Sequence, residues 1–115
     1  MNDEKLITGY HVHCYFHDTD SRAKASLLRE EMASRFKVKV SPIWDEVDFN
    51  DPHQRPMFFA AFPAEEFANV VPWVMLNQNN LNIMIHPITG DHIADHRDFP
   101  IWMGKVLTVN LEVFR

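Results

Sequence analysis

An α+β sandwich, with two helices covering one face of an antiparallel sheet, is the fold this sequence predicts, on three observations. Short β-rich runs stand at residues 8–16, 37–41, 57–62 and 81–86, several of them alternating apolar with polar side chains. Two longer stretches, 22–36 and 63–77, instead carry apolar residues at helical spacing. Their order is β-α-β-β-α-β, which closes as a ferredoxin-like sandwich. At 115 residues and 13.5 kDa the chain is expected to form one domain, 1–115, with nine Phe to help fill its core.

The first strand is Tyr10-His11-Val12-His13-Cys14-Tyr15-Phe16, and Asp18-Thr19-Asp20-Ser21 then offers several N-caps. Arg22 to Phe36 places Ala25, Leu28, Met32 and Phe36 on one helical side, with Arg, Lys and Glu on the other. Lys37 to Ser41 alternates as a short strand, residues 42–56 are irregular, and Met57 to Phe62 is the third strand. Pro63 suits the first position of a second helix, with Glu65 and Glu66 near its positive end. Phe67, Val70, Val71, Val74 and Met75 form that helix's apolar side, and Pro72 predicts a kink or a split. Asn77 to Asn80 ends it, and residues 81–86 make the fourth strand, with His86 opening the turn Pro87-Ile88-Thr89-Gly90. The C-terminal extension from Gly90 holds Phe99 to Gly104 and predicts a fifth strand over Val106 to Val113.

Composition narrows the function classes. A net charge of −5 lacks the basic stripe that a phosphate backbone requires, so nucleic acid is not expected as a partner. No eighteen-residue apolar run predicts a membrane span, and Met1-Asn2-Asp3-Glu4-Lys5 does not read as a signal peptide. The lone Cys14 allows neither an internal disulfide nor a paired-cysteine metal site. The expectation is an acidic cytoplasmic protein.

The histidines carry the chemistry. Residues two apart on a strand share a face and stand roughly 6–7 Å apart. Val12, Cys14 and Phe16 must face the helices, which turns His11, His13, Tyr15 and His17 to the opposite side. Leu81, Ile83 and Ile85 likewise leave Asn82, Met84 and His86 on that side. Two histidine-bearing strands can therefore share one cleft, walled by the 42–56 loop and the tail with Trp44, His53 and Trp102. Same-face imidazoles repel when both are charged, so the His11–His13 pair suits neutral rings that bind something. Plainer readings compete with this one. His17 and His92 suit solvated positions, His96 suits either a salt-bridged loop or the site, and Cys14 suits the core.

These motifs together resemble the DOPA 4,5-dioxygenase family. The resemblance rests on Tyr10 to Phe16, Asp51-Pro52-His53, Val71-Pro72-Trp73-Val74-Met75-Leu76-Asn77, Ile85-His86-Pro87-Ile88-Thr89-Gly90-Asp91, Asp95-His96 and Trp102-Met103-Gly104. It runs over nearly the whole chain in the family's order. The chain departs from the family's usual Gly-Pro-His-Pro at Asp51-Pro52-His53-Gln54, at Arg55-Pro56 with the aromatic strand that follows, and at His17, where an acidic residue is usual.

The resemblance implies extradiol cleavage of a catechol-type ring, such as that of DOPA, by O₂ at a non-haem iron. Fe(II) is the metal it implies, with Zn or another divalent ion also compatible with imidazole ligands. It implies His13 and His86 as ligands, His11 as a ligand or an outer contact, and His53 as a ligand or acid/base group. Trp44, Tyr15, His96 and Trp102 would line the substrate pocket. No Asp or Glu stands clearly on the histidine face, Asp91 and Glu46 being the nearest candidates for a carboxylate ligand. Two other readings remain: a non-catalytic module holding a metal or small aromatic, and a homodimer formed through the sheet.

Overall fold

A computed structural model describes residues 2–115, so Met1 of the expected leaderless start lies outside the described residues. Five strands form one antiparallel sheet in the order β2-β3-β1-β4-β5. They are β1 (Gly9–Tyr15), β2 (Lys39–Val40), β3 (Met57–Pro63), β4 (Asn82–Ile88) and β5 (Ile101–Met103). The helices are α1 (Thr19–Arg35), α2 (Phe67–Asn77) and α3 (His92–Arg97). The expected sandwich is therefore present, with β1 at its centre between β3 and β4. Among the described residues no helix is long and apolar enough to cross a membrane.

Strand parity divides the sheet into two faces of different character. Val12, Cys14, Phe58, Ala60, Phe62, Ile83 and Ile85 point one way, where Ala25, Leu28 and Met32 of α1 and Val70, Val71 and Val74 of α2 complete the main core. On the other face Tyr15, Met57 and Met84 build a smaller cluster with Trp102, Leu107 and Val109. The histidine face is thus partly roofed by the tail.

Several boundaries differ from the sequence reading for physical reasons. The first helix begins at Thr19, because the Asp18 carboxylate caps the Ser21 amide and the Ser21 hydroxyl accepts from the Asp18 amide. Pro63 closes β3, and a 3₁₀ turn, Ala64–Glu66, intervenes before α2. Pro72 does not split α2, which runs continuously from Phe67 to Asn77 with Pro72 exposed. Strand β4 passes through His86 and Pro87 to Ile88; β5 reaches only Ile83–Ile85 of β4, so Pro87 lies beyond the part paired on both sides. The irregular stretch holds one isolated bridge, Trp44 with Met57.

The expected strand over Val106–Val113 is not formed; the fifth strand is Ile101–Met103. Gly104 turns the chain out of the sheet at φ +81°, and the Asn82 side-chain oxygen receives the Lys105 amide at 2.8 Å. A β-carbon at Gly104 would lie 2.5 Å from that oxygen. Leu107 and Val109 do alternate, but they pack across the sheet face instead of pairing along an edge.

Candidate metal centre

The sheet register builds the centre. His11 lies directly across from His86 in the β1–β4 ladder, their ring centroids 5.2 Å apart. His13 sits one same-face step further along β1, and its Nε2 comes within 3.1 Å of His86 Nε2. His53 arrives from the 42–56 loop and stacks on His13 at 3.8 Å between centroids. His96 arrives from α3 and lies 4.2 Å from His86 and 5.4 Å from His53. One nitrogen each of His11, His13 and His86 lie within 4.8 Å of one another, and the same holds for His13, His53 and His96. His13 is common to both groups.

Local structure explains how the two outlying rings reach the sheet. The Asp51 carboxylate accepts the His53 amide at 2.8 Å, and the Pro52 carbonyl accepts the Asn110 amide at 2.8 Å. Arg55 donates to the carbonyls of His53 and Thr108, tying the loop to the tail. Gln54 completes the bend at φ +54°, a left-handed conformation that non-glycine residues seldom adopt. For His96, α3 is capped by Asp91 and clamped by Asp95, whose buried carboxylate takes the Thr89 amide at 3.0 Å and hydroxyl at 2.6 Å. Phe114 packs on the outer side of His96 at 4.7 Å.

Backbone carbonyls set two tautomers, since a carbonyl can only accept. His86 donates from Nδ1 to the Pro87 carbonyl at 2.9 Å and His96 from Nδ1 to the His92 carbonyl at 2.7 Å. Both rings therefore carry a bare Nε2, the form that binds a metal ion. Tyr15 makes a 2.6 Å hydrogen bond with His53 Nδ1.

Burial keeps the cluster neutral. It pushes His13 well below the usual imidazole range, and the neighbouring rings of His53, His86, His11 and His96 push in the same direction. His53 and His86 are each lowered to about 3, first by burial. Burial also lowers His11 and His96, an effect partly countered by the Asp95 carboxylate in both cases and by the His92 carbonyl for His96.

The donor set fits a metal ion. Two imidazole nitrogens bound at right angles, each about 2.1 Å from one ion, stand about 3 Å apart, close to the His13–His86 separation. His13 Nδ1 is buried with no hydrogen-bond partner, an unpaired polar atom of the kind that interiors seldom retain. Both three-residue groups consist of imidazoles alone. Asp91 is occupied as a helix cap, and Glu46 is exposed beside a separate cleft, so neither joins them.

The expected pocket residues are distributed unevenly. Tyr15 and His96 touch the histidines, and Trp102 stacks on Tyr15 at 6.1 Å. Trp44 stands outside: it packs on Phe59 at 5.7 Å and lines a cavity of about 260 Å³ with Asp51 and Arg55. Phe59 itself reaches His11 at 5.0 Å and His13 at 5.5 Å, a contact the sequence reading missed. Its parity with Met57 and Ala61 was the available signal. His17 and His92 are exposed, and Cys14 is sealed in the main core with its thiol pushed up to about 12 by burial. A cavity of about 620 Å³ opens on the helix side beside Tyr10, Phe67 and Ile85, and none of its lining residues is a histidine.

Two predictions follow from this geometry. His53 and His86 protonate near 6.5 in an unfolded chain but only near 3 when folded. Stability is therefore complete above pH 6.5 and is lost as pH falls toward 3, by up to about 1.4 kcal/mol per pH unit for each ring. Urea denaturation of metal-free protein should show a falling midpoint between pH 6.5 and about 4.5, before carboxylates titrate; a flat midpoint there contradicts neutral burial. The φ of Gln54 gives the second. Gln54→Gly should change stability by less than about 1 kcal/mol, whereas Gln54→Pro, which cannot reach positive φ, should cost more than that. Equal melts for the two variants would refute the loop geometry.

Comparison with known proteins places this centre in context. A DOPA 4,5-dioxygenase from Amanita muscaria is 28% identical over 111 residues, 91% of this chain and 49% of its own length. This chain thus spans about half of that relative. An uncharacterised 21.2 kDa protein of Botryotinia fuckeliana is 29% identical, over 98% of this chain and 67% of its own length. A crystal structure from Nostoc punctiforme, described as that of a "putative dioxygenase", is 39% identical. It superposes with a TM-score of 0.93, covering 100% of this chain and 97% of that one. The family model for the Dopa 4,5-dioxygenase family matches residues 10–113, a span containing all five clustered histidines, and the chain belongs to that family.

Proposed function

We propose that the protein is a metal-dependent extradiol dioxygenase that opens a catechol-type ring with O₂. The observation that carries this reading is the group His11, His13 and His86, three largely buried neutral imidazoles able to share one ion. Fe(II), when bound, supplies a redox centre with open positions for a catecholate and O₂. The overall reaction retains both oxygen atoms: one catechol and one O₂ give one ring-opened semialdehyde.

The chain's own residues prepare that chemistry. His86 offers a bare Nε2 because its Nδ1 proton is held by the Pro87 carbonyl. Beside the three ligands stand His96, whose bare Nε2 suits a base for the phenolic protons, and His53, which suits an acid. Tyr15, Phe59 and Trp102 supply aromatic surface that keeps water from the rings and can stack on a planar substrate. The absence of a carboxylate from both histidine groups and the Asp51–Gln54 departure favour a second reading, a module that binds a small aromatic without turnover. The cytoplasm is the proposed compartment.

The test is oxygen uptake. Iron-loaded protein given a panel of catechols in air should consume O₂ and form a yellow product. His13→Ala and His86→Ala should each lower metal affinity by more than roughly 100-fold, read by elemental analysis after dialysis. Full metal content in both variants would mean the ligands are wrong, and tight catechol binding with no oxygen uptake would select the binding module. A homodimer is also proposed, since edge strand β5 exposes Ile101 at 44% and Phe99 beside it at 39%. Sedimentation at micromolar concentration should give twice the chain mass, and monomer alone would remove this element.

A further inference from the structure

The Tyr15 hydroxyl lies 2.6 Å from His53 Nδ1, and both side chains are nearly sealed, at 4% and 3% exposure. Either partner could in principle donate, but the surroundings decide between them. His53 Nδ1 is the only hydrogen-bond partner of the Tyr15 hydroxyl among the described residues. If the imidazole donated, the phenolic hydrogen would be left without an acceptor in an apolar cluster of Met57, Met84 and Trp102. If the phenol donates, both atoms are satisfied.

We infer that Tyr15 is a positioning residue that donates to Nδ1 and so holds neutral His53 as the tautomer with its proton on Nε2. His53 then meets a bound molecule as a hydrogen-bond donor. Carbonyl-locked His86 and His96 instead present lone pairs. This separates the imidazoles by role: bare nitrogens suit a metal ion, and the N–H of His53 suits a negatively charged oxygen on the substrate. The ligand class for His53 is accordingly a catecholate or another aromatic oxyanion.

The surrounding loop supports the assignment. The backbone of His53 is fixed in place, its amide held by Asp51 and its carbonyl by Arg55. Its ring is pressed against His13. The hydrogen bond from Tyr15 is the single interaction that reads which of its nitrogens carries the proton.

This inference deepens the dioxygenase reading and rests on it for the substrate class, but the tautomer can be measured without turnover. Nitrogen-15 NMR of histidine-labelled, metal-free protein at about pH 8 distinguishes protonated from bare ring nitrogens, with His53→Asn assigning the signals. In the native protein His53 should show a protonated Nε2 and a bare Nδ1. In Tyr15→Phe, which keeps the aromatic ring, that pattern should weaken or reverse, and bound zinc measured by elemental analysis should be unchanged. If the protein turns over catechols, Tyr15→Phe should lower kcat roughly tenfold or more with KM within about twofold. A protonated Nδ1 on native His53, or a tautomer unchanged by Tyr15→Phe, would overturn the inference. Failure of every catechol to react, with the expected NMR pattern present, would sink the enzymatic reading and leave Tyr15's role standing.

Discussion

Five imidazoles crowded on one side of a sheet persist only while they remain uncharged. The closest ring pairs lie 3.8 and 4.2 Å apart, and two unit charges about 4 Å apart repel by about 4 kcal/mol at an effective dielectric constant of about 20. That is a large part of the net stability of a small domain. Desolvation holds the rings neutral, and neutrality is also what a metal ion requires of a histidine ligand. Fold stability and ligand readiness therefore depend on the same condition.

Strand alternation supplies that condition cheaply. Val12 and Cys14 belong to the helix-side core, and the residues between and around them are turned to the opposite face by geometry alone. Anchoring β1 by its apolar half fixes the height and direction of His11, His13 and Tyr15. Because β4 pairs with β1 in register, the same anchoring sets His86 against His11. The site thus inherits its rigidity from a core on the other side of the sheet.

This explains how much was legible in the sequence. Period-two patterning identified β1 and β4 and the face on which their histidines lie, because burial of the apolar half leaves no alternative register. The path of the tail was not legible. Leu107 and Val109 alternate as a strand would, but Gly104 redirects the chain, and a roofing segment has the same local pattern as an edge strand. α3 was hidden for another reason: six residues, His92–Arg97, hold too few turns for a periodic signal, and its cap and clamp depend on Asp91, Asp95 and Thr89 meeting in space. The residues around His96 therefore suited a salt-bridged loop as well as the site, and only the resemblance put it in the pocket. Trp44 reaches the histidines only through Phe59, a relay that aromatic composition alone does not reveal.

The loop around His53 shows how a departure in sequence can keep a side chain in place. The family's usual proline cannot adopt the +54° φ seen at Gln54, and its usual glycine has no carboxylate to hold the His53 amide as Asp51 does. The two changes belong together: Asp51 closes a turn that Gln54 then has to leave in a left-handed conformation, and Arg55 ties the result to the tail. The cost falls on the backbone, and it is spent on bringing one imidazole against His13. His13 carries a similar cost of its own. Whichever nitrogen faces His86, the other is buried without a partner, a penalty of about 1–3 kcal/mol that an aliphatic residue at this position would avoid. Strain at residue 54 and an unpaired atom at residue 13 meet at the same stacked pair of rings. A chain shaped only for stability would keep neither, and their coincidence at one point is the kind of local conflict that proteins concentrate at functional sites.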